Sequence, residues 1–507
     1  MTDTTLDTRA GAPAPDPDAL PPGAARLIGL LLVSAFVVIL NETIMSVALP
    51  RLMSDFSITA TTAQWITTAF LLTMAVVIPV TGFLMSRFSV RQLFTAAMTL
   101  FSVGTLLAAL APTFPILVGA RVVQASGTAI MMPLLITTVL NLVPASRRGR
   151  MMGTISIVIS VAPAIGPTVS GLILSQLSWR WMFWIVLPIG LVALALGVRW
   201  VRNLGEPGHQ RADVVSVVLS ALAFAGLVYG LTSIGESAAG ETPVAPWIPL
   251  VIGVLALVAF VVRQLKLREN ALLDLRAFGS RSFRVAVVLV VAAMMALFGT
   301  LILLPILLQD ALGLSVLQAG LVLLPGGATM AVLAPLVGRL FDRFGPRPLV
   351  PPGAFAAAVA LWMMSTYDVT TPVVEVVAVH VLLSAGIAFM FTPLLTSALG
   401  SLPQHLYSHG SAIVSTLQMV AGAAGTALFV TVYTRGIVAE AAAGRSGAGA
   451  TAAGVQDALM YGGIVASIAF VLSLFVRNAT AAETEAAAAD APTDREADTP
   501  AVDAAAR

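Results

Sequence analysis

The chain has 507 residues, 58% of them hydrophobic and only 10% charged, with a net charge of +2 and no cysteine. Soluble domains carry about a quarter of their residues charged, so this composition excludes a water-soluble protein and leaves an integral membrane protein. The lack of cysteine excludes disulfides and thiolate metal sites.

The first 25 residues are rich in Pro, Ala and Asp, and the stretch 479–507 is Ala- and acid-rich. Neither holds enough apolar surface to fold, so both are expected to be disordered. No basic segment of a signal peptide precedes the first apolar run. That run is about 23 residues, long enough to stay in the bilayer as a span. A span needs about 20 apolar residues. This length predicts spans near 27–49, 63–84, 93–111, 115–141, 151–176, 181–200, 213–234, 247–265, 284–308, 318–339, 349–366, 373–398, 411–434 and 459–476. An even number of spans, fourteen, puts both tails on one side.

The basic residues give the direction. Alternate loops hold Arg87 and Arg91, then Arg147, Arg148 and Arg150, then Arg202 and Arg211, then "RQLKLREN" and "LRAFGSRSFR", then "GRLFDRFGPR". The other loops hold little beyond Arg51, Arg180, Arg435 and Arg445. Cytoplasmic loops carry the excess of Lys and Arg, so the Arg-rich loops and both tails are expected in the cytoplasm.

An internal echo divides the chain. "GFLMSRFSVR" follows the second span and "GRLFDRFGPR" the tenth, both fitting G-x-L-x-x-R-F-x-x-R at an offset of 256 residues. The expected division is a cytoplasmic tail 1–25, a six-helix bundle 26–203, an inserted helix pair 204–270, a second six-helix bundle 271–478 and a tail 479–507. Two repeated bundles around a midplane site form the architecture of alternating-access transporters.

Several motifs arrive in order. "LNETIMSVALP" lies in the first span, "RVVQASGTAIMMP" in the fourth, "GTISIVISVAPAIGPTVSG" in the fifth, and "GRLFDRFGPR" after the tenth. On these residues the chain resembles the major facilitator superfamily and, within it, the fourteen-helix drug:proton antiporter group. The resemblance implies an all-α membrane fold of two six-helix bundles plus two inserted helices. It also implies a membrane-embedded arginine, here Arg121, followed by Gln124 and Gly127. Gly153, Pro163, Gly166, Pro167 and Gly171 match the antiporter motif; Gly338, Asp342, Arg343, Gly345 and Arg347 match the gating loop. There are departures. Ser86 and Ser89 stand where the first-half loop of the family has Asp and Gly, Ala162 and Ser170 replace glycines, and Val186 replaces Asn. With Ser86 in place of the acid, the gating contact is expected to fall to Asp342 alone.

Among residues that carry chemistry, Glu42 comes first, because a charged carboxylate inside a span costs about 2.5–3.5 kcal/mol on insertion scales. Sealed from water it favours the neutral acid, and it releases the proton when water reaches it, which suits a proton carrier. It could instead stay neutral, bonded to Asn41 and Ser46. Asn41 lies about 100° around the helix and either contacts substrate, orients Glu42 or joins helices. Arg121 keeps its charge, and Glu42 is its expected partner, so protonation would leave the arginine uncompensated. Ala162, Gly166 and Ser170 recur every four residues on a face that suits close helix approach, with Pro163 and Pro167 expected to bend the helix. Asp342 is expected to reach the start of helix 5 near Arg150, where the helix dipole favours an anion.

His380 is the single histidine within a span, read as a second proton site or a hydrogen-bonded core residue. Gln309 and Asp310 line the outer mouth or mark the interface. His405 and His409 sit four apart without a nearby carboxylate or cysteine, which disfavours metal. No Walker loop, dinucleotide fingerprint or HExxH is present, so no nucleotide cofactor is expected and an ion gradient must drive the work. The Met and Phe content, 19 and 22 residues, suits an adaptable apolar wall. The expected function is therefore non-enzymatic: a proton-coupled exporter of small amphipathic compounds in a bacterial-type cytoplasmic membrane, monomeric, with no nucleic-acid partner. A dedicated exporter of one metabolite, antibiotic or lipid is the alternative.

Overall fold

A computed structural model describes residues 21, 23–201, 213–237 and 244–477. The expected tail disorder, the pair Arg202 and Arg211, and the side chains of Ser46, Pro163 and Pro167 lie outside the described residues. The helices are α1 (Ala24–Ile44), α2 (Leu49–Phe56), α3 (Ala60–Arg87), α4 (Val90–Leu110), α5 (Phe114–Leu142), α6 (Arg148–Gln176), α7 (Arg180–Trp200), α8 (Val214–Ser237), α9 (Trp247–Leu267), α10 (Arg281–Ile306), α11 (Val316–Phe344), α12 (Val350–Met364), α13 (Val373–Gly400), α14 (Tyr407–Ala442) and α15 (Ala448–Ser473).

Among the described residues, twelve helices are long and apolar enough to cross a bilayer: all except α2, α6 and α12. The predicted fourteen-span count is thus met for twelve. Helix α12 has 15 residues, a rise of about 22 Å against a hydrocarbon core of about 30 Å. Helix α6 has 29 residues and carries the antiporter motif. The predicted first span 27–49 is shorter in the structure. Helix α1 ends at Ile44, followed by a 3-10 turn (Met45–Ala48) and then α2, so Glu42 sits one turn before a backbone break.

Local signals set several starts and stops. Ser89 with Gln92 and Ser315 with Gln318 form capping boxes that open α4 and α11. Gly345 closes α11 at φ 74°, ψ −173°, a conformation open essentially to glycine alone.

The helices pack as two groups. In the first, α1 contacts α5, α6 and α7, while α3 and α4 flank α5; in the second, α10 contacts α13, α14 and α15, with α11 and α12 against α13. Two seams join the groups: α6 on α11, and α14 on α3 and α5. The repeat explains the seams. Gly338 on α11 faces the Gly149 and Arg150 backbone of α6, while Gly82 on α3 faces His409 and Ala412 of α14. In each group the helix carrying the repeated loop motif packs on the other group's helix.

The inserted pair α8–α9 is a hairpin whose backbones meet at Gly226 and Gly253, and α8 lies against α3 and α14. Asp213 anchors its Arg-rich end: both carboxylate oxygens accept from Arg263, at 2.6 and 2.8 Å, and Oδ2 also from Ser216. Those hydrogen bonds hold the Asp213 carboxyl below the usual carboxylate range. Gly226→Leu, which would push a side chain into the α9 backbone, is expected to lower stability by about 1–3 kcal/mol. Gly29→Leu, whose first added carbon meets nothing within 4 Å, is expected to be near neutral. Thermal unfolding of the detergent-solubilised chain compares the two.

Candidate functional site

The face that carries the Arg-rich loops, the basic face, is closed. Asp342 on α11 accepts the Gly149 N–H through Oδ1 at 2.7 Å and the Arg150 N–H through Oδ2 at 2.9 Å. These are unsatisfied donors at the start of α6, and Arg147, its N-cap residue, makes no side-chain cap. The cap of α6 is therefore supplied from the other group of helices. Arg148 donates to the carbonyls of Val143 and Leu140 and to the Tyr407 hydroxyl of α14. Further in, hydroxyl pairs cross the seams: Thr137 with Ser411 and Ser156 with Thr392, each at 2.8 Å. All these contacts lie within about three helical turns of the basic face. Arg343 stacks over the Phe344 ring, and Arg347 follows Gly345 in the loop after α11.

The polar cluster lies toward the opposite face. Arg121, 1% exposed, donates through Nη1 to Asn41 Oδ1 at 2.9 Å and to Gln124 Oε1 at 2.6 Å. Gln124 donates in turn to Thr105 Oγ1 at 2.7 Å, and the guanidinium lies 4.1 Å from the Phe70 ring centroid. Glycines make the approach possible. Gly104 on α4 touches the Gln124 backbone, and Gly127 on α5 touches Ala97 and Phe101, so α4 and α5 are pressed together where Gln124 meets Thr105. Thr105 and Phe70 were not singled out in the sequence; a hydroxyl next to a span glycine was the available signal.

Glu42 does not pair with Arg121 as the sequence predicted. The guanidinium's acceptors are neutral amides, and Glu42 feels Arg121 only through space. Asn41 is sealed at 1% exposed, whereas Glu42 is partly accessible, as the 100° step between neighbours dictates. Glu42 is the nineteenth of 21 residues in α1, about 27 Å along the helix from Ala24, so it lies in the part of the span farthest from the basic face. Thr43, beside it, donates to the Leu40 carbonyl and more weakly to Ala162 on α6, and it packs against Gly166. The antiporter-motif residues Ala162 and Gly166 thus face the acid-bearing turn. Gly153 fits against Ala334 and Pro335 of α11, while Gly171 faces open space; on the face expected to pack closely, Ala162 and Gly166 meet Thr43 of α1 and Ser170 is buried against Met182 of α7.

Other predicted residues lie elsewhere. His380 on α13 packs on Gly326 of α11, with its Nδ1 buried and unpartnered, within the second group and away from the Arg121 cluster. Gln309 and Asp310 sit in a π turn (Leu307–Ala311) after α10, half-buried and exposed respectively. His409 is buried beside Asp274, a carboxylate contributed by a distant segment; among the described residues no cluster of metal-ligand type occurs.

A family model described as the Major Facilitator Superfamily matches residues 31–426. The chain belongs to the major facilitator superfamily. It is a multi-pass membrane transporter rather than an enzyme. It is 41% identical over 458 residues to a lincomycin resistance protein, LmrB, of Listeria monocytogenes, covering 89% of this chain and 97% of that one. A lincomycin resistance protein of Bacillus subtilis is 40% identical, with coverage of 88% and 94%. A multidrug resistance protein B homolog of Mycobacterium tuberculosis is 29% identical, with coverage of 82% and 78%. The fold is shared with the human organic anion transporter MFSD10, at a TM-score of 0.65, 15% identity and coverage of 89% of this facilitator and 100% of that chain.

Removing Asn41 leaves the buried guanidinium short of an acceptor, so Asn41→Ala is expected to cost about 1–3 kcal/mol. Asn41→Asp restores an acceptor and should recover most of that stability. Paired thermal unfolding curves measure the difference.

Proposed function

We propose that this transporter is a secondary active exporter that exchanges inward-moving protons for outward-moving amphipathic, drug-like compounds in a bacterial cytoplasmic membrane. The observation that carries the reading is the largely buried Glu42, next in the chain to Asn41, whose amide with that of Gln124 accepts from a sealed Arg121 without neutralising its charge. In this reading Glu42 takes a proton when the site opens away from the basic face and releases it when the basic face opens. Ionised Glu42 is then attracted to Arg121 and protonated Glu42 is not, which couples charge to the arrangement of α1 and α5. Arg121, Asn41 and Gln124 line the polar end of the substrate path, with Gln309 and His380 on the second half of it. The proton gradient replaces any cofactor.

The same reading makes α6 and α12 spans, for fourteen in all. The basic face and both tails are cytoplasmic, bundles 26–203 and 271–478 rock about 204–270, and the monomer is the working unit. The antiporter-motif helix α6, through Gly153, Gly166 and its prolines, forms the rocking surface. The relatives named for lincomycin resistance support lincomycin as the first compound to test. They also give weight to a narrower, dedicated exporter; competition by unrelated cationic dyes separates the two, because a dedicated carrier ignores them.

Proteoliposomes with an imposed pH gradient test the mechanism. The parent chain is expected to move lincomycin uphill, and Glu42→Gln to abolish proton-driven movement while unfolding at the parent temperature. Undiminished exchange by the Glu42→Gln protein would refute the carrier assignment.

A further inference from the structure

The seam between α3 and α14 contains a part that the exchange mechanism leaves unused. Gly82 and Ser86 on α3 occupy the repeat positions of Gly338 and Asp342 on α11. Gly82 matches its counterpart, packing on the helix opposite. Ser86 differs from its counterpart in having no carboxylate, and its hydroxyl donates to the Phe83 carbonyl of its own helix. The N-cap residue of α14, Leu406, likewise gives no side-chain cap.

That region is filled by a connecting segment. Residues 271–277, between α9 and α10, would ordinarily be exposed, yet Ala271, Leu272, Leu273, Asp274 and Ala277 are all buried. The N–H groups of Leu272 and Leu273 both donate to Gln264 Oε1, at 2.7 and 3.3 Å. Gln264 also donates to Ser216 at 2.8 Å, so the segment is tied to both helices of the inserted pair. Leu273 packs at Gly82 together with His409 and Ala412. The Asp274 N–H reaches His409 Nδ1 at 3.4 Å. The Asp274 carboxylate is fixed by Arg276, at 2.6 Å; burial opposes its ionisation, but the Arg276 hydrogen bonds outweigh that and keep the carboxyl below the usual range.

We infer that residues 271–277 are a strap that closes the α3–α14 seam at the basic face, with Leu273 and Asp274 as positioning residues that hold α14 against α3. This rests on the exchange reading for its purpose: α3 and α14 must part at this face for the site to turn inward, and the strap must then release one of them. The inserted pair α8–α9 is its anchor. Helix α8 runs along the same two helices, and Gln264 hands that anchorage to the strap.

The chain has no cysteine, so a single introduced thiol reports on its own site. Ser411 is fully buried and bonded across the seam to Thr137. Thr300 is equally buried in α10, bonded to its own helix. Maleimide labelling of Ser411→Cys in the purified full chain in nanodiscs, without substrate, reads seam opening directly. Adding Leu273→Ala is expected to raise the labelling rate at least about tenfold, the scale of a lost core leucine. Leu273→Met, which keeps the volume, is expected to return the rate close to that of the parent. Thr300→Cys should remain unreactive throughout. Equal rates at Ser411→Cys with and without the Leu273 side chain would overturn the strap, and so would a parallel rise at Thr300→Cys, which signals general loosening. No transport step enters the readout, so loss of the exchange mechanism and loss of the strap would be seen separately.

Discussion

The arrangement of the site follows from one permanent charge kept out of water. A guanidinium cannot be deprotonated in a protein, and Arg121 is almost completely enclosed within a membrane span. Nη1 is met by Asn41 and Gln124 and the Phe70 ring lies over the plane, while Nε is buried with no hydrogen-bond partner. This commits three helices at once. Asn41 fixes the rotation of α1, Gln124 ties α5 to Thr105 of α4, and the glycines at 104 and 127 bring the backbones close enough for those bonds. With Asn41 turned inward, its neighbour Glu42 is set about 100° around the helix and is only partly exposed. Amides satisfy hydrogen bonds without cancelling charge, so Arg121 continues to attract any nearby anion.

Much of this was legible in the sequence, and the rest was hidden for identifiable reasons. Apolar runs of span length located most helices, because a bilayer leaves the backbone few alternatives. Glycines of the repeated loop motif marked the seams, since Gly82 and Gly338 sit where another helix leaves no room for a side chain. Asp342 was read correctly as reaching α6, a contact that repeat symmetry and the helix dipole both imply. The end of α1 at Ile44 was not visible, because "MSVALP" is as apolar as the span before it. The choice of Asn41 over Glu42 as the arginine's partner was equally hidden; both lie within reach by spacing, and only the rotation of α1 decides. The buried segment 271–277 was missed because "ALLDL" between two spans reads as the edge of a span, and its partner Gln264 looks like a solvated helix end.

The two seams reach the same closure by different chemistry. At α6–α11 the carboxylate of Asp342 serves as the helix cap that Arg147 does not provide. Parting that seam uncaps α6, and a lost cap costs about 0.5–2 kcal/mol. The cost is offset by rehydration of a carboxylate that is only half-buried when closed. At α3–α14 the repeat lacks its acid, and closure instead rests on Leu273 packed at Gly82 and on the contact of Asp274 with His409. Apolar burial does not weaken when an anion is neutralised, so the Leu273 part of this closure does not depend on charge.

Energies of this size decide how such a molecule can be driven. Differential binding between two states commonly supplies about 1–3 kcal/mol, comparable with one helix cap. A seam welded by many buried ion pairs would lie beyond that range. The polar contacts of α6 with the other group, a borrowed cap and the Ser156–Thr392 hydroxyl pair, are each of that size. The low charge content, 10% of the chain, goes with seams whose polar contacts include a borrowed cap and neutral hydroxyl pairs, set in close helix packing.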